Sequence, residues 1–152
     1  MRRRLLLVPL LGVLSLAACG DDRLSKSEYE QKLQSEYADV QQAFQATAAS
    51  FGQTDLADKI GDAQEQLRDA AESLEHIEPP KEVEEENEEI VEGLREYAGD
   101  LDDLREAADR KDLKTINAFT DRIADNEAIH QIAEAAEEMK HKGYDVGAIG
   151  EE

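Results

Sequence analysis

Tryptophan is absent from this chain of 152 residues, cysteine occurs once, proline three times, and the aromatic side chains are four tyrosines and three phenylalanines. A single cysteine excludes an intrachain disulfide, so the fold must rest on packing alone. So few rings argue against a large aromatic-lined pocket. Cations are scarce as well, with 17 Lys and Arg against 37 Asp and Glu and a net charge of −20. Nucleic-acid binding needs a basic footprint against phosphate, which this composition does not supply, and the same field pushes the body of the protein away from anionic lipid. The sequence also has no Gly-x-Ser-x-Gly elbow, no Ser beside a His and no phosphate-cradling glycine loop. The expectation is therefore a protein that is not an enzyme and needs no cofactor.

What is present begins at the N-terminus. Arg2, Arg3 and Arg4 precede an apolar run, Leu5 to Ala18, that only Pro9, Gly12 and Ser15 interrupt. A positive segment followed by a short apolar one is the pattern of a signal peptide. As a helix the run would reach about 21 Å, short of the ~30 Å hydrocarbon core, which makes it a poor permanent span. It ends in LSLAACGDD, Leu14 to Asp22, and Cys19 is the chain's only cysteine. Leu16, Ala17, Ala18 and Cys19 resemble the lipobox of bacterial lipoproteins. That resemblance implies removal of residues 1–18 and diacylglycerol on the Cys19 thiol, which becomes the first residue of the mature chain. The residues alone also admit ordinary cleavage after Ala17, leaving a thiol near the new N-terminus. Two acyl chains, at ~0.8 kcal/mol per buried methylene, would anchor the protein stably. The expected address is thus the extracytoplasmic face of the cell membrane. Without residues 1–18 the balance becomes 14 cations against 37 anions, or −23.

Residues 19–25 read as the lipidated cysteine and a polar tether, and 26–143 as one helical domain. Tyr29, Leu33, Tyr37, Val40, Phe44, Ala48 and Phe51 recur at steps of three and four, the spacing of a helix with one buried face. Gly52 supplies the stop, and Thr54 or Asp55 can cap a second helix. Its stripe is Leu56, Ile60, Ala63, Leu67, Ala70, Leu74 and Ile77, ended by Pro79 and Pro80. A third stripe runs Val83, Ile90, Leu94, Tyr97, Leu101, Leu104 and Ala108, with Asn87 in the vacant polar slot as either a buried register-fixing residue or an exposed one. Asp112 caps a fourth helix opening with Leu113, Ile116, Phe119 and Ile123, after which Ile129, Ile132, Ala136 and Met139 fall on nearly the opposite side. The last helix therefore breaks near Asp125 and Asn126 or changes partner there. Lys140, His141 and Lys142 suit its C-terminal dipole, Gly143 closes it, and 144–152 read as a flexible tail. The pattern predicts an all-α fold, an antiparallel up-down four-helix bundle, with three long helices and a fourth in two short pieces as the rival arrangement.

The richest candidate for chemistry is the last helix, where Glu127 to His130 and Glu138 to His141 both read Glu-x-x-His. Di-iron bundles use that motif on each of two facing helices. Here both copies share one helix, ~16 Å apart, and cannot close on one di-metal centre. His130, Glu134, Glu137 and His141 form a line that could loosely hold Zn²⁺, Cu²⁺ or Ca²⁺, the one metal site the sequence suggests. Glu82, Glu84, Glu85, Glu86, Glu88 and Glu89 read as the solvated, negatively charged start of a helix. His76 reads as a dipole partner at a helix end.

The stretch LEHIEPPKEVEEENEEIVEGLREYAGDL, residues 74–101, is similar to a pattern of small actinobacterial lipoproteins of unknown function: a Leu, a Pro pair, then polar residues and Leu at helical spacing. AAEEMKHKGYDVG resembles their C-terminus. In that pattern a His often stands near the position of Asn87, and a Cys occurs in the C-terminal stretch. The resemblance implies a secreted helical lipoprotein and brings no activity with it. Together these readings point to a lipid-anchored binding or scaffolding module of the cell envelope, partnered by the membrane through Cys19 and by an unidentified envelope protein. A metal-binding lipoprotein using the acidic surface with His130 and His141 is the alternative.

Overall fold

Ser25 begins the first helix with a reciprocal cap: its hydroxyl accepts from the Glu28 amide, and the Glu28 carboxylate accepts from the Ser25 amide at 2.9 Å. The computed structural model describes residues 23–149. The leader, Cys19, the tether as far as residue 22 and residues 150–152 lie outside the described residues. Within them the chain is all-helical, with five α-helices and no strand.

Helix α1, Lys26–Ala49, is followed by Gly52 at a φ of +82° and by α2, Leu56–Glu75. Asp55 stands at the head of α2, but its side chain makes no capping hydrogen bond. Pro79 and Pro80 lead through a 3-10 turn, Lys81–Val83, into α3, Glu84–Asp109. At the end of α3 the DRKD turn breaks the chain without glycine. Lys111 takes a φ of +57°, and the amides of Lys111 and Asp112 bond the carbonyls of Ala108 and Ala107, a Schellman closure that a left-handed residue completes. Asp112 then caps α4, Leu113–Thr120, accepting from the Thr115 amide. A 3-10 turn, Ile123–Asp125, and the Asn126 cap separate α4 from α5, Glu127–His141. The break expected near Asp125 and Asn126 is where the chain breaks, and the shift of apolar phase there is the change from one short helix to another.

Helix α3 packs on α2 and α5 and touches α4, while α1 leans on α2. The pairs α1–α2, α2–α3 and α3–α5 each run antiparallel. Thr47 reaches the Lys59 carbonyl and Ser73 reaches Glu36 between α1 and α2. Gln64 reaches the Ala98 carbonyl and Asn87 the Leu74 carbonyl between α2 and α3. Gln131 reaches the Glu89 carbonyl, and Asn126 reaches Asp100, between α3 and α5. The α3–α5 seam is close because its residues are small. A Cβ on Gly93 would stand 2.7 Å from Ile132 Cγ1 and 3.1 Å from the Ala128 carbonyl oxygen.

The tail differs from the sequence reading. Gly143 does close α5 at a φ of +85°, but Tyr144, Val146 and Ile149 are buried, so residues 144–149 are a strap that belongs to the core and not a loose end. Tyr144 meets Tyr29 edge to face at 6.2 Å, and Lys26 sits over its ring at 4.8 Å. The tether's last residues are fixed too: the Leu24 amide bonds the Glu78 carbonyl and Arg23 bonds the Pro79 carbonyl, both at 2.8 Å.

Candidate functional site

The apolar stripe of α1 divides into two parts. Tyr29 and Leu33 are buried at 0% and 2% exposure, Tyr37, Val40 and Phe44 are half-buried, and Phe51 is 45% exposed. The divide follows from where the strap stops, at Ile149 beside Tyr37 and Val40, and, further along, from helix length. At 1.5 Å per residue α5 reaches roughly 22 Å while α1 reaches roughly 36 Å, so the fourth side of the molecule runs out before α1 does. Over the second half of α1 a groove of about 550 Å³ opens toward α5. Leu67 of α2 and Leu94 and Tyr97 of α3 form its floor, with Phe44 stacked on Tyr97 at 5.5 Å. Tyr37, Val40 and Gln41 make one wall, and Ile129, Ile132 and Ala133 make the other. Ile123 closes one end and Ile149 of the strap bounds the other. The polar groups it offers are Tyr37, Gln41, Tyr97 and His130, and burial, aided by Asp100, pushes the Tyr97 phenol up to about 12. Its volume and mainly apolar lining match a binding groove.

The opposite end of the helices is tied shut by polar groups. Tyr29 Oη donates to Asn87 Oδ1 at 3.0 Å, and Asn87 Nδ2 donates to the Leu74 carbonyl at 3.2 Å. Asn87 is therefore the buried, register-fixing residue of its two readings. Glu86, expected on a solvated face, is 2% exposed and paired with Lys142, which also donates to the Glu82 carbonyl at 2.8 Å. Burial raises the Glu86 carboxyl, but the Lys142 ammonium, the Glu86 backbone amide and Glu138 together outweigh it and hold the group below its ordinary value. Glu89 goes the other way: desolvation, then the carboxylates of Glu138, Glu85, Glu86 and Glu134, lift it. Burial, with Glu86 nearby, also raises the Tyr29 phenol. Beside this end a second cleft, about 730 Å³ and lined by carboxylates, has its two arginines engaged, Arg23 with Glu84 and Arg95 with Glu75.

The residues expected to bind metal are only partly brought together. His141 lies 3.7 Å from Glu137, and both are largely exposed. His130 stands at the groove. Among the described residues no three His, Cys, Asp or Glu side chains group around a position that could hold a metal ion. The reason is length: on one helix the line of His130, Glu134, Glu137 and His141 spreads over about 16 Å, and no facing helix supplies further ligands. His76 bonds the Glu72 carbonyl through Nδ1 at 2.7 Å, the helix-end role its position suggests. Cys19 falls outside the described residues. Sequence reasoning missed the groove, the strap and the buried Glu86 and Gln64. Glu86 lies three residues after Val83 and four before Ile90, a stripe position that a strict search for polar intruders would have marked.

Comparison of the chain with protein-family models, with curated proteins and with solved structures finds no match.

Proposed function

We propose that this protein is a non-enzymatic binding module of the cell envelope, held by lipid on Cys19 to the extracytoplasmic face of the membrane. On this reading α1, α2, α3 and α5 form an up-down-up-down bundle, with α4 packed against α3. The observation that carries the binding role is the apolar groove between α1 and α5, open along half a helix and walled by Val40, Phe44, Ile129 and Ile132. The address is supported by the arginines, the apolar run and the lipobox-like LAAC before the domain. No described helix is long and apolar enough to cross a membrane, so within the described residues attachment falls to no span. Metabolic labelling with a palmitate analogue, followed by fractionation, tests the address. The full chain should carry label and sediment with membranes, and Cys19→Ala should lose both. An unlabelled chain, or a Cys19→Ala chain that stays in the membrane fraction, would overturn it.

A further inference from the structure

The groove is the open half of a channel whose other half the chain fills with its own strap. Tyr144, Val146 and Ile149 are buried there. Their backbone is held from both lips: Gln34 of α1 donates to the Asp145 carbonyl at 2.9 Å, Glu30 accepts from the Asp145 amide at 2.9 Å, and Lys140 of α5 donates to the Ile149 carbonyl at 3.3 Å. Ile149 then forms the groove's near edge. A peptide with its apolar side chains inward thus already occupies this channel, and beyond Ile149 the channel continues between Val40 and Ile129, unfilled by any described residue.

Two further observations select what continues it. His130 stands at the α5 lip, and Glu134 and Glu137, both exposed, follow it at helical spacing on the same side, while no Lys or Arg lines the groove. With a mature charge of −23, a second copy of this chain is repelled and a cationic partner attracted. With lipid on Cys19 the bilayer is at the wrong end. Arg23 is docked beside Pro79, four residues reach back at most about 13 Å to Cys19, and Tyr37 stands about 17 Å further along α1 from Lys26.

We infer that the groove receives an amphipathic helix with basic flanks, its apolar face between α1 and α5 and its cations along Glu134 and Glu137. This rests on the groove being the binding face. Helix-in-groove recognition reads anchors at i, i+3, i+4 and i+7, which suits a groove bounded by two helices.

The test uses residues 19–152 with Cys19→Ala, since every core residue among the described residues lies between Leu24 and Ile149. Three 18-residue probes are titrated by fluorescence anisotropy: a Leu–Lys amphipathic helix, a scramble of the same composition, and a Leu–Glu helix with the same stripe. The amphipathic Leu–Lys probe should bind one to one, at least tenfold tighter than either of the others. Val40→Asp should weaken it at least tenfold, and Gln41→Trp, which fills the groove from an exposed lip and leaves the core untouched, should do the same if Val40→Asp does not fold. Glu134→Gln with Glu137→Gln should weaken it several-fold and flatten its salt dependence. Equal binding of the scramble, equal binding of the Leu–Glu probe, or affinity untouched by both groove variants would overturn the inference. So would self-association abolished by Gln41→Trp, which would give the groove to a second copy, or binding to phosphatidylcholine vesicles lost in the same variant, which would give it to a membrane. Failure of all three probes overturns this inference alone, because the labelling of Cys19 reports on the address independently.

Discussion

The two halves of α1 carry the same apolar spacing and meet different fates. Tyr29 and Leu33, near the tether, are sealed under the strap, α5 and α3, whereas Val40, Phe44 and Phe51 look into a groove or into solvent. The period of a stripe reports that a helix has an apolar face; it does not report whether the rest of the chain is long enough to cover it. Here the strap covers α1 only as far as Ile149, beside Tyr37 and Val40, and past it α5 walls a groove without closing on α1. One end of the molecule has become a polar lock, and the other an unfinished core.

The sharpest way to break that contrast is to remove bulk from each half. Leu33→Ala should cost about 3 kcal/mol in urea unfolding, whereas Phe44→Ala, though a larger truncation, should cost about 1.5 kcal/mol because its ring is only half-buried. Equal losses would mean that the two halves are packed alike.

The lock should show its charge. Lys142→Ala strands the Glu86 carboxylate and should lower the urea midpoint, by less than loss of a fully enclosed pair would because Lys142 is partly exposed. Adding Glu86→Leu should restore most of it. Because the folded Glu86 carboxyl titrates below its unfolded value, the pair's contribution is complete above the ordinary carboxylate pKa and disappears as pH falls through the folded one. The Lys142→Ala deficit should therefore shrink in acid, and a deficit independent of pH would show that the charge is not its source.

The α3–α5 seam joins the two halves. Gly93→Ala drives a methyl into Ile132 and the Ala128 backbone and should cost about 1–2 kcal/mol while shifting the α5 wall of the groove. The smallest effect concerns Glu89, whose folded pKa is raised, so its ionisation opposes folding as pH rises. Glu89→Gln should raise the thermal midpoint at pH 7 and leave it unchanged at pH 3.

Much of the helical layout was legible in the sequence. Gly52, the Pro79–Pro80 pair, the Asp112 cap, the break at Asp125 and Asn126 and Gly143 stand where local backbone chemistry requires them. What stayed hidden depended on long-range placement. The Lys142–Glu86 pair joins residues 56 apart, and the docking of Tyr144, Val146 and Ile149 depends on a channel that exists only once α1 and α5 are side by side. The four-residue line on α5 was visible as a line, but that His130 alone of the four stands at the groove, and that no three such side chains group together among the described residues, depended on what faces it.

The central claim is that the open half of the molecule is where a partner sits. Methyl spectra of residues 19–152, recorded while the Leu–Lys amphipathic probe is added, test it most directly. The account predicts shifts of the Val40, Ile129 and Ile132 methyls with Leu33 and Ile60 unmoved; shifts centred on the tied end, or spread evenly over both, would contradict it.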